Sequence, residues 1–325
     1  RNSQTHSHFT QGTTMKLQVI APSGAVLISQ LDMPTGSTVD DLKRTVANQF
    51  TKFPVERQRL TVAASNQSTT PVVLKDGVCL AGQGTLREDA QRAEDNQVTL
   101  KDLGPQIGYR TVFLVEYAGP LLLYPLFSTL PALFAGRALS YDAVQMLALY
   151  CWSGHFLKRL YETVFVHRFS NATMPLFNLY KNCSYYWSAA VFVGFFVNLQ
   201  NDPPSTATTG TYLWLVAFVL CELGNLKCHL ILSNLRPPGT RVRAIPRGFL
   251  FELVSCPNYT CEILAWLCFS LMTGSWSSLV FCLVGAVQMH AWAKGKHARY
   301  LKEFNGSEGR DLYPSSRKVL IPFVL

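Results

Sequence analysis

The reading of this chain turns on Ser255-Cys256-Pro257-Asn258-Tyr259-Thr260-Cys261-Glu262, the head of an apolar segment that runs to about Met272. Pro257 suits the first position of a helix, where its missing N–H leaves no bond unmade. Asn258 and Glu262 are four apart, so on a helix they share a face; Tyr259 and Glu262 are three apart and converge as well. An amide, a phenol and a carboxylate at the mouth of a membrane-length apolar helix are costly to place there. Two readings account for them: polar glue between neighbouring helices, or a polar site at the membrane face.

Composition sets the surroundings. Of 325 residues, 48% are hydrophobic and only 15% charged, against about 25% charged in an ordinary soluble domain. The deficit falls after residue 110, which predicts an integral membrane part behind a soluble N-terminal part. The net charge of +9 fits either nucleic acid or cytosolic loops with an anionic ligand. No nucleic-acid motif accompanies it, so no nucleic-acid partner is expected. The nine cysteines include no Cys-x-x-Cys pair, which points to packed, reduced thiols with neither a disulfide framework nor a zinc site.

Apolar segments fall near 111–134, 142–157, 185–199, 211–233, 257–273 and 277–292. Their connections alternate in charge. Lys158, Arg159, Arg168 and Lys181 mark one loop, 200–210 has no Lys or Arg, and Arg236, Arg241, Arg243 and Arg247 fill the next without an acid. Basic loops face the cytosol. The pattern predicts about six transmembrane helices in the lipid bilayer with both termini cytosolic, Arg137 being the single exception. The sequons at Asn66, Asn171, Asn182, Asn258 and Asn305 then fall on the cytosolic side or at the boundary, as chance matches.

Residues 1–14 are polar and read as a disordered extension. The chain opens at Arg1, and Met15 opens the first strand, as if the extension were appended. No apolar run precedes the folded part, so no signal peptide is expected. Residues 15–103 read as a small α+β domain. Lys16–Ile20 and Ala25–Leu31 form a hairpin about Pro22-Ser23-Gly24. Thr38 and Asp41 open a helix in a capping-box pattern, with Asp in place of Glu. Val39, Leu42, Val46 and Phe50 follow at helical spacing, and Gln58–Val62 and Gln97–Leu103 are further strands. This order resembles a ubiquitin-like β-grasp domain. Gly82-Gln83-Gly84 lacks a following helix and is no dinucleotide fingerprint.

Polar residues within or beside the spans gather on the basic side: Glu116 in the first, His155, Lys158 and Arg159 ending the second, Asn225 and His229 in the fourth, Asn258, Tyr259 and Glu262 in the fifth, and Lys294, Lys296, His297, Arg299 and Tyr300 beyond the sixth. Singly, each is a snorkelling cation or a satisfied core group. Together they describe a cytosol-facing pocket rimmed by cations, suited to a phosphorylated ligand. Enzyme and transporter both fit, although the internal repeats expected of a transporter are not seen.

Several runs resemble the trans-2-enoyl-CoA reductases of very-long-chain fatty acid elongation, within the steroid 5α-reductase superfamily. They are Lys101-Asp102-Leu103-Gly104, Glu116-Tyr117-Ala118-Gly119-Pro120, Glu162 through Ser170, Cys256-Pro257-Asn258-Tyr259-Thr260, Trp292-Ala293-Lys294-Gly295-Lys296-His297 and Ile321-Pro322-Phe323. The resemblance covers residues 15–325. It implies a ubiquitin-like domain over 15–103 and a transmembrane catalytic domain over 104–325 in the endoplasmic reticulum. The implied reaction is NADPH-dependent saturation of a long-chain trans-2-enoyl-CoA, alongside the other enzymes of the elongation complex. Matching cofactor positions are Asn225, His229, Arg236, Asn258, Glu262, His297 and Tyr300. Tyr259 and Lys158 match positions read as catalytic, and Glu116 matches the glutamate that polarises the substrate carbonyl. No metal is implied. One position departs: the family's His-Tyr before Lys-Arg is His155-Phe156 here, so a phenol proposed as an acid is absent and weight shifts to Tyr259. Reduction of a steroid enone, or a non-catalytic place in the elongation complex, are the competing readings.

Overall fold

The computed structural model describes residues 14–63, 71–90, 92–136, 138–169, 171–199, 205–235 and 244–322. Asn66, Arg137, Arg236, Arg241 and Arg243 lie outside them, as do residues 1–13. The chain divides into two compact units, the first ending at Ile107 and the second beginning at Gly108.

In the first unit, β1 (Thr14–Ile20), β2 (Val26–Pro34), β3 (Gln58–Val62), β4 (Val72–Val73) and β5 (Gln97–Asp102) surround one long helix, α1 (Val39–Gln49). The sheet order is β2-β1-β5-β3-β4. β1 pairs antiparallel with β2 and parallel with β5, and β3 pairs antiparallel with β5 and β4. The capping box forms with aspartate: the Thr38 N–H donates to Asp41 Oδ2 at 2.9 Å, and the Asp41 N–H to Thr38 Oγ1 at 3.3 Å. Val39, Leu42 and Val46 of α1 are buried with Leu17, Leu60 and Leu100 of the sheet. Each such leucine contributes about 1.5–3 kcal/mol by leaving water. Thr14, placed with the extension from sequence, is already in β1. β4 is two residues long, too short to leave a periodic signal.

The second unit is helical: α2 (Tyr109–Ser128), α3 (Leu130–Phe134), α4 (Ala143–Tyr161), α5 (Phe177–Val197), α6 (Thr209–Asn234), α7 (Pro257–Thr273) and α8 (Trp276–Glu303). Pro257 is the first residue of α7, as its chemistry requires. Among the described residues, three stretches are long and apolar enough to cross a membrane: Tyr109–Phe134, Thr209–Asn234 and Trp276–Glu303. α5 and α8 run furthest past the apolar segments read from sequence. α5 begins at Phe177, before 185, and α8 continues to Glu303, past 292. An apolar run ends where polar residues begin, but backbone hydrogen bonding does not.

Close approach of α2 and α5 sets the site. A Cβ on Gly119 would collide with the Trp187 indole, and one on Gly194 would lie 3.0 Å from the Tyr124 carbonyl oxygen. Small residues at such crossings let helices meet where lipid supplies no hydrophobic drive. The core beside them is aromatic. Trp152 is fully buried, stacks on Tyr124 at 4.7 Å, tilts against Trp266 at 5.2 Å, and donates its indole N–H to the Pro120 carbonyl at 3.0 Å. All nine cysteines are free thiols.

Candidate active site

A cavity of about 930 Å³ opens within the helical unit. It gathers Glu116 from α2, Asn225 and His229 from α6, and Asn258, Tyr259 and Glu262 from α7. The shared helical face that the spacing of Asn258 and Glu262 predicted is therefore the one turned to the cavity.

On the α2 side, Glu116 is buried and its Oε2 accepts from Asn182 Nδ2 of α5 at 2.9 Å. The next residue, Tyr117, is also buried and its hydroxyl accepts from Arg159 Nη2 at 2.8 Å. The same guanidinium donates through Nη1 to Glu162 Oε2 at 2.7 Å. Glu162 opens a π-helical turn, Glu162–Val166, that continues α4; such turns re-aim side chains within a helix. His229 Nδ1 lies 3.0 Å from the other oxygen of Glu162. Burial pushes the Glu162 carboxyl up, but the His229 hydrogen bond and the Arg159 charge outweigh it and hold the group well below the usual carboxylate range. Burial, and then Arg159, push His167 down to about 3, so its imidazole stays neutral. Glu162, His167 and His229 place ligand atoms within 4.8 Å of one another. Arg159 already neutralises that carboxylate, and a divalent ion would have to displace it.

On the α6–α7 side, Asn225 is buried and fully engaged. Its Nδ2 donates to the Asn258 carbonyl at 2.9 Å and to Glu262 Oε2 at 3.1 Å, and its Oδ1 accepts from Lys158 Nζ at 2.7 Å. Lys158 also pairs with Glu222 Oε2 at 2.6 Å. His155 bridges two carboxylates, Glu222 at 2.8 Å through Nδ1 and Glu262 at 3.4 Å through Nε2. Lys158 therefore stands behind Asn225, away from the cavity lining.

Tyr259 lines the cavity half-buried, its ring covered by the Lys296 ammonium at 4.5 Å and neighboured by Trp292 at 6.3 Å. Arg168, Lys181 and Lys296 put cations on the cavity wall, as a phosphorylated ligand requires. Two residues grouped with the site from sequence lie elsewhere. His297 hydrogen-bonds Ser255 Oγ at 2.6 Å, and Tyr300 stacks on Tyr313 at 5.3 Å. Trp292 and Lys296 are four apart on the cavity-lining face of α8; His297 falls on another face, while Tyr300, one turn past Lys296, lies beyond the cavity, and both meet Tyr313 of the C-terminal segment. Arg236 lies outside the described residues.

Sequence reading passed over Glu222, Glu162, His167 and Asn182 as site groups. Glu222 had a usable signal: with Asn225 and His229 it repeats at three and four residues, one polar stripe on an apolar helix. Asn182 had none, because as a sequence it reads only as a sequon.

Residues 172–325 match the family model described as 3-oxo-5-alpha-steroid 4-dehydrogenase. Over nearly the whole length the chain is 43% identical to the "Very-long-chain enoyl-CoA reductase" of Dictyostelium discoideum, covering 95% of this chain and 99% of that one. It is also 43% identical to the "Probable very-long-chain enoyl-CoA reductase art-1" of Caenorhabditis elegans, over 92% of this chain and 95% of that one. The "Trans-2,3-enoyl-CoA reductase-like" protein of Homo sapiens is 36% identical over 69% of this chain and 63% of its own. The fold and site thus fall within a class of membrane reductases. Within it, the chain belongs to the very-long-chain enoyl-CoA reductase family.

Proposed function

We propose that this protein reduces trans-2-enoyl-CoA thioesters to saturated acyl-CoA with NADPH, as the last step of each very-long-chain fatty acid elongation cycle. The observation that carries this reading is full-length kinship with enoyl-CoA reductases, joined to a cavity that holds Glu116, Asn225, Asn258, Tyr259 and Glu262 together. The site suits a nicotinamide dinucleotide by its donor set: amides and carboxylates from Asn225, Asn258 and Glu262 to hold neutral rings and hydroxyls, and cations for phosphates. Arg236 remains part of the proposal as the arginine for the 2′-phosphate, and His229, His297 and Tyr300 as cofactor-side groups.

The bound nicotinamide supplies hydride to Cβ of the enoyl thioester. The chain's own residues do the rest. Glu116, carrying its proton and steadied by Asn182, donates to the thioester oxygen as the enolate forms. Tyr259 delivers the proton to Cα, its ring held under the Lys296 ammonium. Lys158 acts by fixing Asn225. Leu283, Val284 and Val287 line the cavity and are also exposed on the outer face of α8, giving an acyl chain an apolar route toward lipid.

The wider reading is a six-span domain in the endoplasmic reticulum membrane with both termini cytosolic, behind a ubiquitin-like domain over 15–103, working beside other elongation enzymes. Endoglycosidase-resistant mass at Asn171, Asn182 and Asn305 is the expected result for that topology. The test of activity is loss of nicotinamide absorbance when purified protein, NADPH and a long trans-2-enoyl-CoA are mixed. No loss favours a non-catalytic subunit, the reading that Phe156 supports. Loss only with a steroid enone favours the activity named by the family model over 172–325.

A further inference from the structure

Phe156, buried at 1% exposure, brings no hydroxyl to the site, yet a phenol stands beside it. The Tyr117 ring lies 6.2 Å from the Phe156 ring, with Tyr186 edge-on at 5.6 Å and Phe113 edge-on at 5.6 Å. These contacts fix the plane of a ring that has only two torsions to lose. The hydroxyl is fixed separately, by Arg159 Nη2 at 2.8 Å. A guanidinium only donates, so the phenol oxygen is the acceptor in that bond and its own hydrogen is left for another partner. Tyr117 lines the cavity next to Glu116.

Arg159 is itself held. Its Nη1 is on Glu162 at 2.7 Å, its guanidinium sits 5.0 Å from the centre of the Tyr117 ring, and it is 9% exposed. A buried cation with one arm on a carboxylate and the other on a phenol polarises that phenol's O–H, and charge-assisted bonds of this kind are about twice as strong as neutral ones.

We propose that Tyr117 is a catalytic residue of the reduction: held by Arg159, it donates its hydroxyl hydrogen to the thioester oxygen and, with Glu116, forms a two-donor hole for the enolate. No bond to Tyr117 forms or breaks. Hydride adds to Cβ, the C=C electron pair moves to give the enolate, negative charge gathers on the oxygen between the two donors, and Cα then takes its proton from a separate acid. Arg159 is a positioning residue, since it acts through the phenol. The proposal rests on the reductase reading above and adds a donor to it.

The experiment is Tyr117→Phe, assayed with NADPH and a long trans-2-enoyl-CoA beside the unsubstituted protein. Removal of one oxyanion donor costs roughly 10²–10³-fold in kcat. That loss is expected in kcat, with KM for the enoyl-CoA and NADPH binding by fluorescence close to unchanged. A folded Tyr117→Phe protein with near-normal kcat overturns the proposal, as does a loss confined to KM. An unsubstituted protein that is itself inactive overturns the reductase reading instead. Should Tyr117→Phe not fold, 3,5-difluorotyrosine placed at position 117 keeps the shape and makes the hydroxyl a stronger donor. A changed kcat and an alkaline limb moved to lower pH are then expected, and an identical pH profile overturns the role.

Discussion

Lys158 Nζ donates to Asn225 Oδ1 at 2.7 Å and never reaches the cavity lining. The amide can present its NH2 to the Asn258 carbonyl and Glu262 only while its oxygen is held this way. Lys158 also neutralises Glu222 at 2.6 Å. In Lys158→Met, Glu222 keeps only His155, and breaking a buried pair on one side costs about 3–5 kcal/mol. The expected outcome is a lower unfolding midpoint by tryptophan fluorescence in detergent, with residual turnover in the folded fraction. Complete loss of turnover at unchanged stability would instead put Lys158 in the chemistry.

Tyr259 offers a phenol to the cavity beneath the Lys296 ammonium, 4.5 Å from its ring centre. A general acid contributes about 10²–10⁴-fold, so Tyr259→Phe should lose turnover in that range while still binding NADPH. The measurement is single-turnover reduction with cofactor preloaded. Near-normal single-turnover rates would remove Tyr259 from the proton transfer. The two tyrosines are separable, because deuterium from solvent enters at Cα through the acid and not through the oxyanion donor.

Acid should loosen the helical unit in two stages. His167 is pushed down to about 3 from an ordinary 6.5, first by burial and then by Arg159. The unfolded chain therefore takes up a proton below 6.5 that the folded chain refuses, and stability falls as pH drops from there. Glu162 is held below its ordinary 4.5 against its burial, by His229 and Arg159. Its contribution is present above 4.5 and lost as pH falls below. Each proton is worth about 1.4 kcal/mol per pH unit. In His167→Asn the first stage should shrink in the pH dependence of unfolding while the second remains.

Gly285 borders both the cavity and the outer face of α8, where an added Cβ meets Tyr185 Oη at 3.3 Å and Met289 Cε at 3.6 Å. Both are far ends of side chains and can give way. Gly285→Leu should therefore fold and narrow the cavity, lowering kcat/KM for the longest enoyl-CoA about tenfold more than for the shortest. Loss of a few methylene contacts at about 0.8 kcal/mol each accounts for that factor. Equal loss across chain lengths would move the acyl route elsewhere.

The local chemistry of this chain was legible in its sequence. Thr38 with Asp41 closes its capping box, Pro257 begins α7, and Asn258 with Glu262 shares a face, because each depends only on spacing along one element. The membrane character after residue 110 and the family were legible too, being carried by composition and by contiguous motifs. The tertiary structure decided which polar groups share a cavity. Glu116 meets Asn182 only because Gly119 and Gly194 let α2 and α5 close together. Tyr117 meets Arg159 across 42 positions, and Lys158 turned out to face Asn225 instead of the cavity. His297 and Tyr300 do not line the cavity, the first because it sits on another face of α8 and the second because it sits a turn beyond, and apolar-run counting sees neither. A sequence specifies periodicity within an element. The angle and depth at which two elements meet come from packing, and a site built from six helices is set by those angles.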